Sequence, residues 1–234
     1  MGKRSKEIIE KAMSEGRLNL LEPEAKSICM DYGIPTPEFY VATKKDEAVT
    51  AAEKFGYPVV LKIVSPDILH KTEAGGVIVG LNNQEEVKSA YDRIIENARK
   101  YKGDANIKGI LVQKMAPQGT EVIVGGLKDP QFGQTLMFGL GGVFVEILKD
   151  VTFRVAPIDE SEAKTMISEI KSYPILKGYR GKPPVDEAAI VKILLAASKL
   201  LMDLPEINQM DLNPIMAYDK GASVVDARIL LEKI

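Results

Sequence analysis

Six strand-like segments follow one another between Ile110 and Ile229, and this succession constrains the chain more than any other feature. They are Ile110–Met115, Glu121–Leu127, Thr135–Phe138, Val151–Ala156, Asp211–Tyr218 and Ala222–Ile229. Such a run demands a large, mostly antiparallel sheet. Two helical stretches interrupt it, Ser161–Lys171 and Asp186–Met202. The second turns Ile190, Ile193, Leu194, Ala197 and Leu201 to one face, which gives the sheet a layer to pack against. Tyr173–Pro184, rich in Gly, Pro, Lys and Tyr, reads as an exposed loop.

The chain before this run reads differently. Leu18–Tyr32 has apolar residues at helical spacing and is closed by Gly33, with Pro35 beyond. A short strand is expected at 38–41, then a helix capped by Thr43 that buries Ala48, Ala51, Ala52 and Phe55. Val59–Val64 and Val77–Leu81 are strands, and Asn83 caps a helix with Val87, Tyr91, Ile94 and Ala98 on one face. The expected fold class is α+β, in one domain spanning 1–234. A smaller α/β lobe is placed at about 36–110, and a larger antiparallel lobe at about 111–234 takes in the N-terminal helices. A cleft between two such lobes is a favoured ligand site.

Composition removes several functions. Thirty-one Lys+Arg against 33 Asp+Glu leaves a net charge of −2, so no basic excess marks a partner for nucleic acid or an anionic membrane. One cysteine, Cys29, excludes an internal disulfide and every multi-cysteine metal site. One histidine, His70, excludes any site that needs two. No window approaches the ~20 apolar residues of a membrane span, and the charged start Met1–Lys11 is not expected to be a signal peptide. A cytoplasmic, soluble protein is expected.

The common nucleotide and hydrolase fingerprints also fail. There is no Gly-x4-Gly-Lys-Ser/Thr run. Gly139-Leu140-Gly141-Gly142-Val143-Phe144 begins like a dinucleotide-binding turn but ends in Phe and opens no βαβ unit. No Gly-x-Ser-x-Gly elbow accompanies His70.

Three positive signals remain. Lys62 interrupts an otherwise apolar strand, at a desolvation cost unless an anion or carboxylate meets it. It is either the wet face of an edge strand or a phosphate contact. Ser65–Gly76 joins two apolar strands with more polar chemistry than a turn needs. Gly75 and Gly76 would let backbone N–H groups approach an anion, with Lys71 and Thr72 adding donors, unless the stretch is simply a solvated turn. Third, Asp211-Leu212-Asn213-Pro214 faces Asp226-Ala227-Arg228 across a hairpin. A two-residue Lys220-Gly221 turn would pair Asn213 with Arg228 and Ile215 with Asp226, turning Asp211, Asn213, Asp226 and Arg228 to one face. Two carboxylates and an amide oxygen suit Mg²⁺, and an exposed polar hairpin face is the alternative.

Taken together, these residues resemble the ATP-grasp domain of the ADP-forming acyl-CoA synthetase family, in the archaeal form where that domain is a separate β subunit. The likeness runs from about Asn19 to Ile234. Its most specific stretches are Leu69–Val77, Phe138–Glu146, Lys149–Pro157 and Lys177–Gly181. The Asp211–Pro214 and Asp226–Arg228 ending is also similar to the nucleotide-binding subunit of succinyl-CoA synthetases, which carry an extra C-terminal ligase domain.

The resemblance implies an ATP-grasp fold, two α/β subdomains with the nucleotide cleft between them. It implies ADP or ATP as substrate and Mg²⁺ as the ion. Lys62 matches the strand lysine on the phosphates, with Lys71, Gly75 and Gly76 beside it. Gln113, Lys114 and Met115 match the segment whose backbone meets the adenine edge, and Glu121 the residue that holds the ribose. Asp211, Asn213 and Asp226 match the metal ligands. Arg154, on the face shared with Thr152, matches an arginine offsetting phosphoryl charge, and His70 a transient phosphohistidine. Glu146 and Asp150 lie in family motifs without an assigned role. The implied reaction is acyl-CoA + ADP + phosphate ⇌ acid + CoA + ATP. It runs with an α subunit that carries the CoA-binding and ligase domains, in an α2β2 heterotetramer. Two alternatives stay open: another ATP-grasp carboxylate ligase, and a non-catalytic nucleotide-sensing subunit.

Overall fold

The computed structural model describes residues 2–142, 150–179, 181 and 183–233. Residues 143–149, Glu146 among them, and Arg180, which fall largely within the motifs above, lie outside the described residues. The chain forms two compact units, one of residues 37–116 and one of residues 1–36 with 117–234.

The smaller unit holds β1 (Phe39–Ala42), α3 (Lys45–Phe55), β2 (Val59–Val64), β3 (Val77–Leu81), α4 (Gln84–Tyr101) and β4 (Gly109–Lys114). Its sheet has the order β1-β4-β2-β3. β4 pairs antiparallel with both β1 and β2, so it belongs to this unit rather than to the larger one, where the sequence reading placed residues from 111. Asn83 caps α4, its side chain accepting from Glu86 N–H at 2.9 Å. Val87, Ala90, Ile94 and Ala98 then face one way at helical spacing and are buried. They meet Val59, Leu61, Ile63, Ile110 and Val112 from one face of the sheet. Lys44, not Thr43, is the N-cap of α3, while Thr43 gives its N–H and hydroxyl to Glu47.

The larger unit begins with α1 (Lys3–Ser14), which the sequence reading did not assign, and α2 (Glu22–Asp31). β5 (Thr120–Asp129), β6 (Gly133–Leu140) and β7 (Val151–Val155) follow, then α5 (Glu160–Glu169), α6 (Tyr173–Leu176) and α7 (Glu187–Asp203). β8 (Ile207–Ala217), β9 (Ala222–Val224) and β10 (Ala227–Leu231) complete it. The sheet runs β10-β8-β5-β6-β7, with β9 on β8. Tyr173–Pro184 is therefore not loop throughout, since α6 occupies its start.

Which way this sheet faces decides the site. Val122 and Val124 of β5, with Leu136, Phe138 and Leu140 of β6, are buried in one core with Ile190, Leu194 and Leu201 of α7. Cross-strand partners share a face, so the register extends this helical face to Thr152 and Arg154 of β7 and to Met210 and Leu212 of β8. The alternate residues Arg228, Asp211, Gly125, Met137 and Phe153 make one row across the opposite face. No helix of the described residues is long and apolar enough to cross a membrane.

Candidate functional site

In the smaller unit, Lys62 lies on a central strand between Leu111 and Val77, not on a wet edge. It is 5% exposed. Val60 and Lys62 alternate with the residues that pack on the helices, so Lys62 and Gln113, the partner of Val60, share the other face of the sheet. Gln113 is fully buried. A lysine so placed is kept only where something compensates its desolvation, and Lys62 is not without a partner here.

Two expectations for this unit change. The N–H groups of Gly75 and Gly76 are not free for an anion: they donate to Thr72 O at 3.0 Å and Lys71 O at 2.7 Å. The glycines serve the turn itself. Gly75 has φ +61°, and a Cβ on Gly76 would stand 2.5 Å from the Ile63 methyl. Likewise the N–H groups of Lys114 and Met115 are spent on the Glu38 and Pro58 carbonyls, at 3.0 and 3.1 Å. The Lys114 ammonium is turned back onto the Gly56 and Tyr57 carbonyls. Those groups are therefore not the ones that would meet an adenine edge.

His70 is exposed at the start of a closed turn. Ala74 N–H returns to His70 O at 3.1 Å, and Ile68 and Ala74 are buried on either side. Asn97 Nδ2 donates to Gly75 O at 2.9 Å. The Asp67 carboxylate accepts from Asn106 N–H at 2.6 Å and Lys102 at 3.2 Å, which holds it below the usual carboxylate range. Asn97 escaped the sequence reading; its position beside buried Ile94 and Ala98 on an amphipathic helix was the available signal.

In the larger unit the carboxylate hairpin forms with a different register. Ala217 pairs with Ala222, and the reversal takes the four residues Tyr218–Gly221, with Tyr218 N–H donating to Gly221 O at 3.0 Å. Asp211 therefore faces Arg228, Asn213 N–H donates to Asp226 O at 3.2 Å, and Ile215 pairs with Val224. A shift of two residues preserves the faces, so Asp211, Asn213, Asp226 and Arg228 still point away from the helices. Burial raises the Asp211 carboxyl above its usual range, the Asp226 charge adds to this and Arg228 opposes it. Among the described residues no three His, Cys, Asp or Glu side chains are placed to hold an ion. The donor set is two carboxylates and an amide oxygen, which fits Mg²⁺ with phosphate or water oxygens completing its shell.

Arg154 is not part of this face. It points to the helical side with Thr152 and ion-pairs with Glu169 of α5 at 2.7 Å, while Thr152 donates to Met166 O. Arg154→Ala should keep turnover within about twofold and cost at most about 1 kcal/mol of stability, as for other exposed pairs. A tenfold fall in kcat would return it to the reaction.

Glu121 lies beside Met216 on β8. It lines a cavity of about 490 Å³ with Gln118–Thr120, Pro183, Val185 and Met216–Asp219. That volume suits a small ligand. Asp150 is an anchor: its buried carboxylate accepts from Lys171 N–H and Ser172 N–H, both at 2.7 Å, and from the Ser172 hydroxyl.

Residues 11–231 match an ATP-grasp domain family. The chain belongs to the ATP-grasp family. This ATP-grasp chain is 54% identical over 228 residues to the β subunit of acetate–CoA ligase (ADP-forming) I of Pyrococcus furiosus, covering 97% of the chain and 98% of that relative. It superposes with a TM-score of 0.95, at 52% identity, on the acetyl-coenzyme A synthetase 1 of Candidatus Korarchaeum cryptofilum solved with coenzyme A and Ca-AMPCP; 97% of this chain and 100% of that one are covered. A further structure of that synthetase, with Mg-AMPPCP and a phosphohistidine segment pointing towards the nucleotide binding site, matches at a TM-score of 0.87 and 50% identity, with the same coverage.

Proposed function

We infer that this ATP-grasp chain is the nucleotide-binding β subunit of an ADP-forming acetyl-CoA synthetase, working in the cytoplasm with a separate α subunit. The reaction is acyl-CoA + ADP + phosphate ⇌ acid + CoA + ATP. One observation carries the reading: in a chain matching a β subunit over 97% of its residues, one sheet face gathers Asp211, Asn213 and Asp226 beside Arg228.

In this reading Asp211, Asn213 and Asp226 hold Mg²⁺, and the ion supplies neutralisation of phosphate charge. Lys62 meets the phosphates as a compact point charge. Glu121 accepts from the ribose hydroxyls in its cavity, and the segment around Gln113–Met115 borders the adenine. The His70 imidazole attacks the phosphoryl group delivered by the partner, forming an N–P bond as the donor's bond breaks. A terminal phosphate oxygen of ADP then takes the group and frees the imidazole. Acyl and CoA chemistry belongs to the α subunit, in an α2β2 assembly. The protein's part is positioning and charge compensation.

The purified chain alone is expected to bind Mg²⁺·ADP and to turn over no acyl-CoA. Calorimetry with no nucleotide affinity at millimolar ADP and Mg²⁺ would sink the reading. Acyl-CoA-dependent ATP synthesis by the chain alone would contradict the division of labour.

A further inference from the structure

Both passages of the chain between its two units adjoin one small hairpin. The passages lie at Thr36–Pro37 and Ala116–Pro117. Just before the first, Pro35 O accepts from Val224 N–H of β9 at 2.8 Å. Just after the second, Pro117 O accepts from the Tyr218 hydroxyl at 3.4 Å. Gly119 packs here so closely that a Cβ would stand 2.8 Å from Ala217 O and 3.0 Å from the Tyr218 ring. Tyr218 is partly buried, which raises its phenol above the usual range.

The hairpin is seated independently. Asp186 N–H donates to Tyr218 O at 2.7 Å, and the Asp186 carboxylate accepts from Gly221 N–H at 2.9 Å. The same carboxylate caps α7 through Ala189 N–H at 3.0 Å. A helix cap thus fastens the turn to a 17-residue helix packed in the core. Against this fixed hairpin lies the exposed stretch Pro117–Gln118, two residues before the strand that carries Glu121.

We propose that Tyr218 is a positioning residue for the nucleoside site: its ring and hydroxyl fix Pro117–Gly119 against β8 and so set where Glu121 stands in the cavity. This rests on the cavity being the ribose site. Without the ring, the approach to Glu121 is ordered only when nucleotide binds, and affinity bears that cost.

The test measures Kd for Mg²⁺·ADP on the full chain, and KM and kcat for ADP in the assembled enzyme. Tyr218→Ala should raise Kd and KM for ADP by roughly 5–30-fold, the cost of ordering one or two residues, with kcat within about twofold. Tyr218→Phe, which keeps the ring on Gly119, should recover most of the affinity. Gly119→Ala, which crowds the same contact from the other side, should reproduce the KM rise and serves if Tyr218→Ala does not fold. A variant that lowers Tm and kcat together while KM stays at the wild-type value overturns the proposal, because that is the signature of a purely structural role. Glu121→Ala separates the two levels. If it weakens ADP binding and Tyr218→Ala does not, the proposal fails and the ribose reading stands; if neither weakens binding, both fail.

Discussion

His70→Ala in the assembled enzyme is expected to cut overall turnover by roughly 10³-fold or more, the scale on which loss of a covalent nucleophile is felt. It should also abolish acid-labile labelling of this chain from radiolabelled ATP, while acyl phosphate still forms on the partner. His70 is exposed on a turn whose hydrogen bonds close without its side chain, so alanine leaves the fold intact. Ile68 is buried two residues before it, and Asn97 holds Gly75 behind it. Near-normal ATP synthesis by the variant would reduce the loop to a phosphate clamp and make transfer to ADP direct.

The second large effect concerns the carboxylate pair. Asp226→Ala should lower kcat by roughly 100-fold or more, since a bound metal contributes several kcal/mol to phosphoryl transfer and each 1.36 kcal/mol is tenfold. The Mg²⁺ concentration needed for half-maximal rate should rise with it. Asp226 lies between β9 and β10 on the face away from the helices, so the core loses nothing. The substitution also removes the like charge that raises Asp211. Asp211 has to be ionised to hold a cation, so in the wild type Mg²⁺ affinity should fall as pH drops through a value above the usual aspartate range. In the variant that fall should move to lower pH. Wild-type turnover by Asp226→Ala would leave the pair a solvated hairpin face.

Much of this architecture was legible in the residues. Val59–Val64, Val77–Leu81 and the Asn83-capped helix stand where periodicity and capping put them, because the signals that specify them are local. The face shared by Asp211, Asn213, Asp226 and Arg228 was legible too, since side-chain alternation survives any even shift of register. Its actual register was not. Turn length depends on Asp186, far along the chain, accepting from Gly221 and holding Tyr218.

What the sequence determined by itself were the quantities that alternation and elimination control: an α+β chain, an oxygen-only donor set, and a single histidine on a polar loop between two strands. Tertiary structure decided which side of a sheet meets solvent or helix. Thr152 and Arg154 alternate as an exposed polar face would, yet α5 covers that side and Glu169 takes the guanidinium. It also decided where backbone donors are spent. Gly75, Gly76, Lys114 and Met115 each have an N–H that reads as available in one dimension. In three, each donates to a carbonyl of its own unit, because a buried N–H left unpaired costs more than the turn or strand that satisfies it.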